Sequence, residues 1–209
     1  MRWRYEMLLL ATLLVGAGCQ MKSEPTATNA TSVPSIPKQW SSAPQMKIDT
    51  SKQYAATIST SLGDIQVSLL AKEVPATVNN FVFLAREGFY ENVRFHRIIK
   101  GFMVQTGDPT GTGAGSPGYR FPDEPVSGSY ERGTLAMANS GPNTNGSQFF
   151  IVDGAAVSLP KNYTIFGKVT GGLDVVDKIA AVPVAASRTG EVSVPTQDVR
   201  ITKVAITEK

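Results

Sequence analysis

The sequence predicts a mainly β protein built on a closed antiparallel barrel of about eight short strands, together with two α-helices. Short apolar or alternating segments recur along the chain, and turns rich in its 19 Gly and 13 Pro residues separate them. These segments lack the strand–helix–strand alternation that builds a parallel sheet. Since closure of an antiparallel sheet removes its exposed edges, a barrel is the architecture that we expect.

The first predicted elements are a hairpin and a helix. Residues 54–60 and 65–70 have the pattern of two strands joined by a Gly-Asp turn. Residues 75–88 begin with Pro and end with Gly, which is the usual polarity of a helix. This helix has an apolar stripe to bury, formed by Val78, Phe81, Val82 and Ala85.

The later segments complete the predicted barrel. Its remaining strands are predicted at residues 93–99, 102–106, 134–138, 148–152, 164–169 and 200–206. A turn-rich stretch at 107–129 interrupts them, and a second helix is predicted at 173–181. We therefore expect one folded domain over residues 53–208.

An export signal and a lipid anchor are predicted before this domain. Residues 1–18 combine a basic start with about a dozen apolar or small residues, as a signal peptide does. The run is short for a bilayer span, and an uncleaved anchor is the alternative. The end of the run, Gly16-Ala17-Gly18-Cys19, is similar to a bacterial lipobox, so we expect Cys19 to be lipidated and to become the mature N-terminus. The expected location is the cell envelope, on the periplasmic or another extracytoplasmic face of a membrane.

A spacer separates the predicted anchor from the domain. Residues 20–50 contain four Pro, five Ser and four Thr without apolar periodicity. Such a composition buries too little surface to offset the entropy of ordering, and Pro without Gly favours an extended chain. We therefore predict that residues 19–52 consist of the lipidated Cys and a disordered linker.

Composition excludes several classes of function. The net charge is only +3, and no Lys or Arg block is long enough for a nucleic-acid interface. One Cys and one His exclude both a zinc site of the Cys/His type and an internal disulfide. We expect no metal, no cofactor and no nucleic-acid partner, and a monomer is the default.

Three local motifs favour a structural interpretation. Residues 113–118 satisfy G-x-G-x-x-G, but no helix follows that could bind a pyrophosphate, so a flexible loop is expected. Asp123 and Glu124 are adjacent on an extended segment and point to opposite sides, as solvated turn acids would. His96 is the sole candidate general base, but the chain lacks the G-x-S-x-G elbow of a serine hydrolase.

Arg97 is the more informative residue beside this His. A period of two along the strand places Phe95, Arg97 and Ile99 on one face and His96 on the other. An Arg on an apolar face is either a paired core charge or a donor placed for a ligand. The local pattern leaves both possibilities open.

Two longer segments carry a family resemblance. Residues 95–108, FHRIIKGFMVQTGD, and 135–151, LAMANSGPNTNGSQFFI, closely resemble the two signature segments of the cyclophilins, the peptidyl-prolyl cis–trans isomerases. Shorter similarities, in the family's order, lie at residues 88–90, 111–113 and 166–169. The resemblance covers about residues 54–207. It implies an eight-stranded antiparallel barrel capped by two helices, with a peptide groove on its outer surface.

The resemblance also implies roles for individual residues. The catalytic Arg corresponds to Arg97. The positions that correspond to the proline pocket are Phe102, Met103, Phe150 and Leu159, and those that line the peptide groove are Gln105, Ala138, Asn139 and Gln148. Tyr163 stands where many family members have His. Ser158 replaces a frequent Trp, which implies weaker binding of cyclosporin.

The implied activity is the rotation of X-Pro peptide bonds in exported polypeptides, which assists their folding. The implied partners are proline-containing peptides and unfolded or folding proteins. The alternative is a non-catalytic module that binds proline peptides, or acts as a chaperone, through the same groove. Retention of Arg97 favours the enzyme, since a module without catalysis has no need of it.

Overall fold

The computed structural model describes residues 38–155 and 158–209, and in this part of the chain ten strands and two helices are present. The strands are Tyr54–Thr60 (β1), Gly63–Leu69 (β2), Arg97–Ile99 (β3), Met103–Thr106 (β4), Thr134–Met137 (β5), Phe149–Val152 (β6), Ile165–Gly171 (β7), Val184–Ala186 (β8), Val192–Pro195 (β9) and Ile201–Glu208 (β10). The helices are Pro75–Arg86 (α1) and Leu173–Ala180 (α2). Both predicted helices are present, whereas the β8–β9 hairpin was not predicted.

Eight of these strands form one antiparallel sheet in the order β10-β1-β2-β7-β5-β6-β4-β3. Strands β8 and β9 form a separate two-stranded sheet. Alternation explains how the main sheet buries one face: in β1, Tyr54, Ala56 and Ile58 are buried while their neighbours are more exposed. The mainly β prediction with two helices is therefore confirmed.

Regular strand pairing curls the sheet without closing it. The ladder ends at β3 on one side and β10 on the other, so the predicted closed barrel is not confirmed. The gap is spanned by an isolated bridge between Arg94 and Arg200, by neighbouring backbone hydrogen bonds such as Phe95 N to Val199 O at 2.9 Å, and by side-chain contacts such as the Arg94–Asp198 ion pair. The physical reason is the shortness of β3, which has three residues where the sequence predicts a strand over 93–99.

The core lies between the sheet and the two helices. Phe81 of α1 packs edge-to-face on Phe149, with ring centroids 5.5 Å apart, and lies 5.3 Å from Phe166. All three rings are fully buried. Such aromatic packing fixes α1 on the sheet and leaves the opposite face of β3, β4 and β6 free to carry a site.

Glu124 caps helix α1 from a distant loop. The N-cap residue, Val74, offers no side-chain acceptor to the first turn. The two carboxylate oxygens of Glu124 instead accept hydrogen bonds from the backbone N–H groups of Ala76 and Thr77, at 3.0 and 2.7 Å. The expectation of a solvated turn acid is therefore wrong for Glu124, and Asp123 also accepts hydrogen bonds from a neighbouring loop.

Residues 38–52 form an N-terminal strap against the domain. The Trp40 ring packs edge-to-face on Phe83 of α1 at 5.1 Å. The backbone N–H of Trp40 donates to the carbonyl of Pro117 at 2.9 Å, and Ile48 is buried in the core cluster. These contacts fix the strap to both α1 and the loop before residue 119.

The strap corrects the predicted end of the disordered linker. Residues 38–52 supply an aromatic ring and an aliphatic side chain to the core, which composition alone did not indicate. The predicted signal peptide over residues 1–18 and the lipidation of Cys19 lie outside the described residues. Within the described part of the chain, no helix is long and apolar enough to cross a membrane.

Candidate active site

Three neighbouring strands place a row of side chains on the outer face of the sheet. Arg97 on β3 pairs with Gln105 on β4, and Gln105 pairs with Phe150 on β6. Successive side chains of a strand point to opposite faces, so Ile98 and Val104 point into the core and are buried. A cation, an amide and an aromatic ring therefore lie side by side across the three strands.

Arg97 does not share a face with Phe95, contrary to the sequence-based prediction. Phe95 is fully buried and belongs to the same core cluster as Ile98. Strand β3 begins only at Arg97, and the irregular step at His96 breaks the period of two. The Arg97 side chain is 33% exposed, so it is a surface-facing group and not a core charge.

This outer face opens into a cavity of about 150 Å³. Nine of the ten substrate-site residues predicted from the sequence line it: Arg97, Phe102, Met103, Gln105, Ala138, Asn139, Phe150, Leu159 and Tyr163. The tenth, Gln148, lines an adjoining cavity of about 140 Å³. The structure thus brings the predicted residues together, while their roles toward a substrate stay predictions.

Packed aromatic side chains form the apolar wall of the cavity. The Phe150 and Tyr163 rings meet edge-to-face at 5.7 Å, and Met103 is buried beside them. Tyr130 lies behind this wall: its hydroxyl donates to the carbonyl of Tyr163 at 2.9 Å and accepts the N–H of Tyr163 at 3.1 Å. Because these rings are held from both sides, the wall is preformed for a small apolar ring.

A tight turn between β3 and β4 positions Phe102. Gly101 adopts a φ of +74°, a conformation that favours glycine. Its N–H donates to the Asp153 carboxylate at 2.6 Å, and the Asp153 N–H donates to the Phe102 carbonyl at 2.9 Å. The turn closes through a hydrogen bond from Phe102 N to Ile99 O at 3.0 Å. These bonds hold Phe102 at the edge of the cavity.

A chain of amide hydrogen bonds links the two cavities. The Gln105 side chain donates through Nε2 to Gln148 Oε1 at 3.1 Å. Gln148 Nε2 in turn donates to the carbonyls of Gly113 and Gly115, at 3.0 and 2.9 Å. The G-x-G-x-x-G segment is therefore part of the wall of the second cavity.

Two loops border the cavity opposite Arg97. The Asn139 side chain donates to the Asn162 carbonyl at 2.7 Å and accepts the Gly141 N–H at 3.3 Å, so it braces its loop. Leu159 lines the cavity, whereas Ser158 is exposed and does not.

Glu191 binds Arg97 on the side away from Gln105. Arg97 Nε donates to Oε2 at 2.7 Å and Nη2 donates to Oε1 at 2.6 Å. This bidentate contact lowers the pKa of Glu191 to about 2 and raises the pKa of Arg97, so both groups are charged at neutral pH. The remaining nitrogen, Nη1, lies 3.4 Å from Gln105 Oε1.

His96 does not belong to this site. Burial lowers the pKa of His96, which keeps its ring neutral at pH 7, and the residue does not line the Arg97 cavity. Its ring nitrogens have no hydrogen-bond partner among the residues that the structure describes. Over the same residues, no cluster of three or more His, Cys, Asp or Glu side chains is arranged to hold a metal ion.

Two residues of the site were missed from the sequence. Glu191 is 94 positions from Arg97, and no local pattern connects them. Tyr130 directly follows the turn-rich stretch at 107–129, and no periodicity there indicates that it is buried. An aromatic residue at the end of such a stretch is the only sequence signal that could have pointed to it.

Comparisons with known proteins agree with this geometry. The family model described as cyclophilin type peptidyl-prolyl cis-trans isomerase/CLD matches residues 55–206. A Dictyostelium discoideum protein named peptidyl-prolyl cis-trans isomerase-like 3 is 50% identical over 135 residues, which cover 62% of this chain and 84% of the relative. Its human namesake is 46% identical over 140 residues, with the same two shares.

Solved structures that resemble this chain are also of cyclophilin-type isomerases. A crystal structure of a Cryptosporidium parvum cyclophilin type peptidyl-prolyl cis-trans isomerase has a TM-score of 0.67 and 35% identity to this chain, and covers 75% of this chain and 99% of its own. A crystal structure of the same protein in the presence of the dipeptide Ala-Pro has a TM-score of 0.66. With a family model that matches most of its length and a fold that agrees, this chain belongs to the cyclophilin-type peptidyl-prolyl cis–trans isomerases.

Proposed function

We propose that this isomerase rotates X-Pro bonds in the Arg97 cavity. We further propose that a lipid on Cys19 anchors the protein to a membrane and that its substrates are exported polypeptides. The observation that carries the first part is the position of the Arg97 guanidinium at the edge of a small cavity with an apolar wall of Phe102, Met103 and Phe150. An X-Pro substrate combines an apolar ring with a polar amide, and this cavity offers a partner to each.

Rotation of an X-Pro bond is slow because amide resonance opposes it, with a barrier of about 20 kcal/mol. An enzyme accelerates it by binding the twisted amide more tightly than either planar form. In this cavity Phe102, Met103 and Phe150 hold the pyrrolidine ring while the preceding carbonyl turns. Rotation breaks no covalent bond, so the mechanism uses no nucleophile or cofactor.

Arg97 supplies the electrostatic part of the mechanism. As the amide twists, the prolyl nitrogen regains its lone pair and can accept a hydrogen bond. Arg97 Nη1 is the guanidinium nitrogen that Glu191 does not bind, and it provides this donor. Gln105, fixed between Arg97 and Gln148, binds a neighbouring peptide group of the substrate.

The proposed location rests on the first residues of the chain. Residues 1–18 have the pattern of a signal peptide, and the only Cys follows at the end of the apolar run. The Pro-, Ser- and Thr-rich residues before the strap then act as a spacer between the lipid anchor and the monomeric domain. The domain faces the periplasmic or another outward side of a bacterial membrane. The relatives reported above are eukaryotic, so the support for this lipoprotein form comes from this chain's own sequence.

Mass spectrometry of the protein expressed in a bacterium tests the anchor. We expect the mature chain to begin at a lipid-modified Cys19 and to sediment with membranes. The Cys19→Ala variant should lose both properties, while the nearby Ser23→Ala control keeps them. A mature chain that retains Met1, or that carries no lipid, contradicts the anchor without touching the isomerase function.

Refolding kinetics test the substrate class. An exported protein whose refolding is limited by an X-Pro bond should refold faster with the full chain than with its Arg97→Ala variant. A refolding rate that the full chain does not raise above the spontaneous rate would contradict the proposed class of substrate.

A further inference from the structure

Glu191 contacts the edge of the Arg97 guanidinium that faces away from the amide network. Its two oxygens accept from Nε at 2.7 Å and from Nη2 at 2.6 Å, which is the parallel two-bond geometry of an Arg–carboxylate pair. The Glu191 side chain is 38% exposed, and it is the acid that pairs with Arg97. The family resemblance assigned no role to this position.

The same contact leaves the other side of the guanidinium turned toward the cavity. Arg97 Nη1 lies 3.4 Å from Gln105 Oε1 and 3.8 Å from Met103 Sδ, and both of those residues line the cavity. Glu191 therefore does not cover the donor that the reaction uses. It fixes the plane of the guanidinium from behind.

The hairpin that carries Glu191 is itself well fixed. The Glu191 carbonyl accepts the Ser187 N–H at 2.7 Å, and the Gly190 N–H donates to the Ser187 carbonyl at 3.0 Å. Ser193, which follows on β9, is buried. The backbone that carries the Glu191 carboxylate is therefore fixed by its own hairpin.

We propose that Glu191 is a positioning residue for the isomerase reaction, which it serves by holding the Arg97 guanidinium with Nη1 directed into the cavity. This inference rests on the proposed role of Arg97 in the same cavity. A half-exposed ion pair contributes little to stability, whereas a flexible Arg side chain loses many rotamers when it is fixed. The gain from Glu191 is that this ordering is complete before the substrate binds.

The alternative for a carboxylate at this position is the opposite effect on the rate. By neutralising the charge of Arg97, Glu191 would weaken the interaction with the twisted amide and slow the reaction. The two effects predict opposite signs for kcat when the carboxylate is removed, so kinetics decide between them.

The test is NMR exchange spectroscopy of an Ala-Pro peptide with the full chain and three variants, Glu191→Gln, Glu191→Asp and Glu208→Gln. We expect Glu191→Gln to lower kcat by about threefold to tenfold and to leave KM within about twofold, because the donor is disordered and the apolar wall is intact. Glu191→Asp should restore part of the loss. Glu208→Gln removes another Glu–Arg pair, with Arg86 on α1, and should leave both constants unchanged.

A spectroscopic measurement separates positioning from a general structural effect. The Arg97 Nε–H resonance of the full chain should exchange slowly with solvent, and it should exchange faster in Glu191→Gln, while the unfolding midpoint falls only by the modest contribution of a partly exposed ion pair. An unchanged or raised kcat in Glu191→Gln overturns the positioning role of Glu191 alone. No acceleration by the wild-type chain overturns the proposed function of the cavity and this inference with it.

Discussion

Arg97 and Gln105 face each other across the β3–β4 ladder, with Arg97 Nη1 3.4 Å from Gln105 Oε1. The oxygen of the Gln105 amide therefore points to the guanidinium, and its nitrogen donates to Gln148 at 3.1 Å. These two partners determine which end of the Gln105 side-chain amide is the oxygen and which is the nitrogen. The same side chain also connects the cation at one end of the site to the loop at the other.

Loss of the Gln105 amide should impair catalysis while the fold persists. We expect Gln105→Leu to lower kcat/KM by about tenfold, because Arg97 and Gln148 each lose a partner and the substrate loses a peptide-binding group. Peptide exchange spectroscopy measures the effect. Gln66→Leu, an exposed substitution on β2, is the matched control, and an equal loss in that variant would contradict the role of Gln105.

The ion pair of Arg97 should make stability depend on pH in the acid range. The pKa of Glu191 in the folded protein is about 2, lowered by Arg97 from its usual 4.5. Its contribution to the free energy of unfolding is therefore complete above about pH 4.5 and is lost as the pH falls from 4.5 to 2. The effect is modest because the pair is partly exposed to solvent.

Urea unfolding of Glu191→Gln and of wild type at several pH values measures this contribution. Other carboxylates titrate in both proteins, so the difference between the two curves isolates Glu191. We expect that difference to shrink as the pH falls through the stated range. A difference that is constant from pH 6 to pH 2 would show that the ion pair does not stabilise the fold.

Removal of the Glu124 carboxylate should destabilise helix α1. Glu124→Ala leaves the N–H groups of Ala76 and Thr77 without their acceptor, and we expect a loss of about 1–3 kcal/mol in the free energy of unfolding. Denaturant unfolding measures the loss, and hydrogen exchange should locate it at those two amides. Glu73→Ala, at an exposed position just before the helix, should have little effect. Equal effects of the two substitutions would contradict capping by Glu124.

The N-terminal strap should contribute to stability through Trp40. Its ring is half-buried against α1, so Trp40→Ala should lower the free energy of unfolding by roughly 2 kcal/mol. Gln39→Ala, a change at the exposed neighbouring position, should be nearly neutral. A Trp40→Ala variant as stable as wild type would mean that the strap adds no net stability to the domain.

Short-range patterns predicted much of this fold, and the family resemblance predicted nearly all of the site. Period-two alternation located the long strands, and Pro75 with its apolar stripe located α1. Seven of the nine predicted residues that line the cavity followed from the two long segments that resemble the family, and Leu159 and Tyr163 followed from the segment after them. The mainly β class with two helices and the isomerase family were both confirmed.

What the sequence did not predict depends on contacts between distant residues. The pairing of Arg97 with Glu191 spans 94 positions and depends on a hairpin that has no strong strand pattern. The predicted face of Phe95 was wrong because the irregular backbone at His96, just before β3, shifts the alternation of side chains. The burial of Trp40 comes from packing on α1, which composition does not reveal.

The most direct test of the catalytic role of Arg97 is the rate of cis–trans exchange of an Ala-Pro peptide, measured by NMR with the full chain and with Arg97→Ala. We expect the wild-type chain to accelerate exchange and the variant to be at least tenfold slower while it remains folded, which is equivalent to about 1.4 kcal/mol of transition-state stabilisation. Acceleration that survives in Arg97→Ala would contradict the role of Arg97. No acceleration by a folded wild-type chain would leave a proline-peptide-binding module in place of the enzyme.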